Sequence, residues 1–185
     1  MKRHMSLYSV KTCHLAIIFI FLSHCQLFAQ DIESKMRAIF IYNIAKNINW
    51  PESAPKGDFV IGIVGDNSIA GELDKMISNT TATNGRTTIV KKIAASHAVG
   101  VIENYHILYF STKETQAMQP IITNATKLPV LLIGEKSDNS CKGSTLCFSK
   151  DTNNKLRLEL HKLSLEQHRL KATNDLLRIA TVIDN

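Results

Sequence analysis

The sequence predicts an α/β fold: a single three-layer domain in which helices flank a mostly parallel sheet, with a C-terminal antiparallel hairpin. Three observations predict it. Short runs that are apolar almost throughout, Phe59 to Val64, His106 to Phe110 and Val130 to Ile133, suit strands covered on both faces, as in a sheet between two helix layers. The segments between them carry apolar residues at three-and-four spacing, the period of a helix face. Beyond Gly134 the pattern changes to two short runs, Ser144 to Phe148 and Leu156 to Leu160, flanking the polar turn Asp151 to Asn154. That spacing reads as a hairpin on the sheet edge.

Taken in order, the chain opens with Lys2, Arg3 and Lys11 ahead of an apolar run from Leu15 to Leu22. About eight apolar residues are too few for a bilayer, which needs about 20. With the small residue Ala29 behind them, they make a secretory signal peptide cleaved near Ala29 and Gln30. Lipidation at Cys25 is the poorer reading, because His24 stands where a small residue should precede the cysteine. Residues 1–29 are therefore a leader and 30–185 the domain, whose 156 residues are enough for one core. Loss of three basic residues lowers the formal charge from +6 to +3, so the case for nucleic-acid binding falls away.

Within the domain, Met36, Ile39, Phe40, Ile44 and Ile48 are expected on the buried face of a first helix. Pro51 forces Trp50 out of helical geometry and ends it. Gly65, Asp66, Asn67 and Ser68 break the first strand, and Leu73, Met76 and Ile77 carry the next helix. The turn-forming segment Asn79 to Gly85 precedes a β-branched strand, Thr87 to Ile93. Ser111 and Thr112 can cap a helix from about Lys113 to Thr123, and Pro129 opens the third apolar strand. The last stretch, Asn174 to Ile183, places Leu176, Leu177, Ala180 and Ile183 on one face and reads as a closing helix packed in the core.

After the leader is removed, Cys141 and Cys147 are the remaining cysteines. An even pair in an oxidising compartment reads as a disulfide. Closing so short a loop contributes about 2 kcal/mol in the chain-entropy model, so the bridge pins one turn. Zinc is the rival reading, but two thiols are too few ligands and no histidine stands at finger spacing.

A catalytic set is not expected. The chain has no nucleophile elbow, phosphate-binding loop, dinucleotide fingerprint or metalloprotease helix motif. His97, His106, His161 and His168 are scattered, and His106 reads as a hydrogen-bonded core residue. No cofactor or metal is implied. The candidate ligand site comes from topology: parallel strands ending at Gly65, Ser111 and Gly134 place Asp66, Asn67, Ser68, Ser111, Thr112, Glu135 and Lys136 along one edge. Open α/β sheets bind ligands there, although caps and turn formers have the same composition. Trp50 is weighed as a packing anchor and as a partner contact, since Trp is enriched in interface hot spots.

Several of these segments together resemble the YfiR-like family of small exported bacterial proteins. Ala38, Tyr42, Asn43, Ala45, Lys46, Trp50 and Pro51 fit its first helix. Phe59 to Asp66 resembles its first strand and Gly-Asp turn, and Asn84, Gly85 and Arg86 its next turn. The strand His106, Ile107, Leu108, Tyr109 matches, as do Leu132, Ile133 and Gly134, then Leu158 and Glu159, and the closing Leu176 to Ala180. The chain departs from the family at Arg37, Asn47 and His161, and at Tyr105, where members often carry a cysteine; one of the two usual disulfides is then missing. The resemblance implies a non-catalytic periplasmic regulator that represses an inner-membrane signalling enzyme, a diguanylate cyclase or a sensor histidine kinase, and through it cyclic-di-GMP and biofilm. An outer-membrane or peptidoglycan-linked protein and a second copy of the chain are the further partners considered.

Overall fold

A computed structural model describes residues 32–65, 67–78, 85–111, 115–136, 141 and 143–184; the leader read at residues 1–29 lies outside them. Helix α1 covers 32–46 and leads into a short strand β1 (Ile48–Asn49). There follow β2 (Phe59–Val64), α2 (Asn67–Ser78), β3 (Thr88–Ile93), α3 (Ala95–Ala98), a 3-10 segment (Val99–Asn104), β4 (Ile107–Phe110), α4 (Thr115–Ala125) and β5 (Leu131–Glu135). The C-terminal part contributes β6 (Leu146–Lys150), β7 (Leu156–His161), α5 (Lys162–Gln167), β8 (Lys171–Ala172), α6 (Asn174–Ile179) and β9 (Thr181–Ile183).

The main sheet runs in the order β3-β2-β4-β5-β6-β7-β9. Its first five strands are mutually parallel, β7 returns antiparallel to β6, and β9 lies parallel to β7. Strict alternation sorts the apolar runs between two helix layers. Ile61, Ile107, Tyr109, Ile133 and Phe148 face one core, closed by α1, α2, α5 and α6. Val64, Leu108, Phe110 and Leu132 face the other, closed by α3, the 3-10 segment and α4. Gly62 interrupts its run for a steric reason: a Cβ there would sit 2.6 Å from both Ile93 Cδ1 and Leu108 Cδ2.

The three-layer architecture, the mostly parallel sheet and the β6–β7 hairpin follow the expectation from sequence. Three details do not. In α1 the residues turned to the core are Ala38, Ile41, Tyr42, Ile44 and Ala45, whereas Met36 and Ile39 face outward and Phe40 is half-buried against Phe148. The buried stripe is thus shifted round the helix from the expected one, with Ile44 common to both. The hairpin is also not the sheet edge, because β9 pairs outside β7.

The third correction concerns the chain end. Helix α6 starts at the Thr173 cap, whose hydroxyl accepts from the Leu176 amide, and stops at Ala180, which is extended. The β-branched residues Thr181, Val182 and Ile183 then form a strand. Of the expected core stripe Leu176 is buried, while Leu177 and, on the same stretch, Ile179 and Val182 are exposed. β8 pairs antiparallel with β1, matching Ile48 to Ala172, and Thr173 Oγ1 donates to Asn47 Oδ1 at 2.9 Å. The end of α1 is thereby tied to the C-terminal segment.

Cys141 and Cys147 form the expected disulfide, with Cα atoms 5.7 Å apart and both residues buried. Among the described residues no helix is long and apolar enough to cross a membrane.

Candidate functional site

The strand order reverses between β2 and β4: from β2 the chain first adds β3 on one side, then β4 on the other. Such a switch point opens a crevice at the C-terminal strand ends. Of the residues expected there, Asp66 and Thr112 lie outside the described residues, and Asn67 opens α2. Ser68 is exposed, and its hydroxyl meets that of Ser34 from α1 at 2.8 Å. The N-terminal half of α1 roofs this edge. Ser111 is buried, and its hydroxyl has no partner among the described residues.

Glu135, the last residue of β5, is the centre of a charged cluster. It is 8% exposed, accepts from the Tyr109 hydroxyl of the neighbouring strand, and lies 2.6 Å from Arg37 Nε of α1. Arg37 also reaches Glu33 one turn earlier at 3.5 Å, and Glu33 pairs in turn with Lys150 at the end of β6. Burial alone would raise the Glu33 pKa, but the lysine and arginine outweigh it and hold the carboxylate below its usual value. Beside this chain, Lys136 Nζ contacts both oxygens of Glu159 at 3.0 and 3.3 Å. Burial again opposes ionisation there, and the Ser149 and Lys136 hydrogen bonds lower the Glu159 pKa on balance.

Between these elements lies a cleft of about 470 Å³ lined by Arg37, Glu135, Lys136, Phe148, Lys150 and, at its sides, Ser149 and Leu156. Strand ends identified Glu135 and Lys136 from sequence. Arg37, Lys150 and Phe148 were not found, because they meet only once α1 has packed over the hairpin. No sequence signal marked them as a set.

His106 forms a second node, with a structural role. It is fully buried, stacked on Phe59 at 4.4 Å between ring centroids. Its Nδ1 accepts from the Val60 amide at 3.1 Å and its Nε2 lies 3.2 Å from the Pro55 carbonyl. Those partners select the tautomer with the proton on Nε2. Arg86 sits beside the ring, with Nη1 3.1 Å from Nε2, and donates to the Pro55 and Gly57 carbonyls. Burial first, and the arginine charge second, push the imidazole pKa down to about 4. Trp50 packs edge-on against Phe59 at 5.0 Å and is half-buried, lining a smaller cleft of about 280 Å³ with Pro55 and Arg86.

The third feature is the apolar C-terminal surface. Leu163, Leu177, Ile179 and Val182 are 50%, 39%, 60% and 40% exposed. Beside them runs a groove of about 830 Å³ floored by Leu160, Leu165 and Leu170 and rimmed by Lys162, Arg169, Lys171, Glu166 and Asp184. Strand β9 forms the adjoining sheet edge. Among the described residues no group of three or more His, Cys, Asp or Glu could hold a metal ion.

A family model, DUF4154, described as YfiR/HmsC-like, matches residues 34–181. No curated protein matches. Among solved structures, a conserved domain protein from Vibrio cholerae O1 biovar El Tor is similar with a TM-score of 0.52 and 14% identity, over 80% of this chain and 59% of the other. At that identity the likeness concerns the fold, and the chain spans less than two thirds of that protein. A substrate-binding protein with adhesive properties from Clostridium difficile, in its ligand-free, open structure, gives a TM-score of 0.47 at 14% identity, over 70% of this chain and 55% of the other.

Proposed function

The chain belongs to the YfiR/HmsC-like family of non-catalytic periplasmic regulators, and on that premise we propose that it binds and represses the periplasmic part of an inner-membrane signalling enzyme, a diguanylate cyclase or a sensor kinase. The observation that carries the reading is the exposed apolar surface at Leu163, Leu177, Ile179 and Val182 beside an open groove. Leu177 and Val182 line the groove itself, and exposed apolar residues within a charged rim are the usual anatomy of a protein contact. Its rim has three cations, Lys162, Arg169 and Lys171, against two acids, Glu166 and Asp184, which favours an apolar partner surface bordered by carboxylates.

Repression needs no chemistry from this chain. A regulator that binds the enzyme's inactive state more tightly than its active state shifts the enzyme toward inactivity by that difference in affinity. In the native host, deletion of the gene is expected to raise cyclic-di-GMP or the output of the partner kinase. Wild-type protein should restore repression, and Leu177→Asp with Ile179→Asp should not, although the doubly substituted protein melts like the parent. Unchanged signalling after deletion, or full repression by the double variant, would count against the proposal.

A further inference from the structure

The cleft at the ends of β5 and β6 has a charge pattern that partner binding does not use. Three cations line it, Arg37, Lys136 and Lys150, against one carboxylate, Glu135. The two other acids of the cluster, Glu33 and Glu159, pair with these cations without lining the cleft. A concave site lined mainly by one sign of charge concentrates ligands of the opposite sign. Leu156, half-buried, and the edge of Phe148, which is only 2% exposed, line its apolar side, and the volume of about 470 Å³ lies within the range of small-molecule sites.

We propose that this cleft binds a small organic anion, with its acidic head held by Arg37, Lys136 and Lys150 and its apolar body against Leu156 and the edge of Phe148. Each cation can take part. Lys136 and Lys150 are about half exposed, at 53% and 41% for the side chains, and their pairs with Glu159 and Glu33 are of the exposed kind that contributes little, typically below about 1 kcal/mol. An incoming anion therefore exchanges one carboxylate for another at low cost. Arg37 is different, because Glu135 holds its Nε from below. That ion pair tethers the guanidinium at the wall of the cleft, where its N–H groups are available in kind to donate to a ligand. A planar fork suits carboxylate and phosphate alike.

Glu135 supplies the discrimination. Its carboxylate is engaged by Tyr109 and Arg37 and adds negative charge to the floor, so a head carrying more than one or two charges meets repulsion beneath it. The favoured ligand has one acidic group and an uncharged body. This inference does not rest on the regulator reading, and the test uses the purified protein without any partner.

Isothermal titration and amide chemical shifts would be followed with four probes: benzoate, phenyl phosphate, benzamide and inorganic phosphate. Saturable binding of benzoate or phenyl phosphate is expected, with shifts at Phe148, Ser149 and Lys150, and the tighter of the two identifies the head group. Benzamide, lacking the charge, should not bind, and inorganic phosphate, lacking the body, should bind at least about tenfold more weakly than phenyl phosphate. Lys136→Gln with Lys150→Gln, both exposed positions, should weaken benzoate about tenfold or more. Binding of neither organic anion, equal binding of benzamide, equal binding of inorganic phosphate, or an unaltered affinity in the lysine variant would each overturn the proposal.

Discussion

His106 makes the stability of this domain depend on pH through a single buried ring. The imidazole titrates near 6.5 when exposed and is held down to about 4 in the folded protein. Protonation would put a charge in the core beside Arg86 and would replace the acceptor that Nδ1 offers to the Val60 amide with a second N–H. Above pH 6.5 the ring is neutral in both states and its full contribution is present. Between 6.5 and 4 the unfolded chain takes up a proton that the folded chain refuses, so stability falls as the solution is acidified. From pH 7.5 to pH 5.0 linkage gives a loss of about 2 kcal/mol from this residue, or roughly 4–8 °C in Tm for a domain of this size. His161 and His168 have pKa values lowered chiefly by burial and act in the same direction, so the measurement must be a difference. His106→Asn keeps an acceptor near the Nδ1 position and removes the titration. Urea unfolding at the two pH values should show the parent losing about 2 kcal/mol more than the variant. Equal losses in the two proteins would refute the reasoning.

Three further outcomes follow from the geometry. Glu135→Gln removes the buried partner of Arg37 while leaving Tyr109 an acceptor, and should cost about 3 kcal/mol in denaturant unfolding; a cost below about 1 kcal/mol would mean that Glu33 alone satisfies the guanidinium. Gly62→Ala drives a methyl to within 2.6 Å of Ile93 and Leu108, an overpacking expected to cost about 1–3 kcal/mol and to appear as a lowered urea midpoint without a changed slope. Reduction of Cys141–Cys147 should cost about 2 kcal/mol and leave the far-ultraviolet circular dichroism intact, and titration of the unreduced, denatured protein with Ellman's reagent should find neither of these thiols free.

How much of this was legible in the sequence depends on what each element touches. Strands β2, β4 and β5 were readable because both faces are buried, and burial on both faces leaves an uninterrupted apolar run. The buried face of the first segment was read in part: Ile44 and Ile48 are buried as expected, but Met36 and Ile39 face outward while Ile41, Tyr42 and the small Ala38 and Ala45, which an apolar-spacing pattern does not single out, turn to the core. The C-terminal stretch was ambiguous for a different reason. Leu176, Leu177, Ala180 and Ile183 satisfy helical spacing, and only pairing with β7, a tertiary event, makes residues 181–183 a strand. The same limit governs the cleft: strand ends predict Glu135 and Ser111, but nothing local predicts that Arg37 and Lys150, 113 positions apart, come to line one wall.

Helix α1 connects the two surfaces to which binding is assigned. Near its N-terminus Arg37 lines the charged cleft and Ser34 grips Ser68. At its far end Asn47 holds Thr173, and β1 pairs with β8, whose Lys171 and Ala172 line the apolar groove. A helix carries displacement along its length better than a loop does, so α1 is the element through which the cleft could report to the groove. Coupling nevertheless has a strict requirement: an occupant of the cleft alters partner affinity only if it favours one placement of α1 over another. An anion that binds both placements equally leaves repression unchanged however tightly it is held. The Arg37–Glu135 pair is the contact at which such a preference would arise, because it ties α1 to β5 through the same guanidinium that the ligand would share.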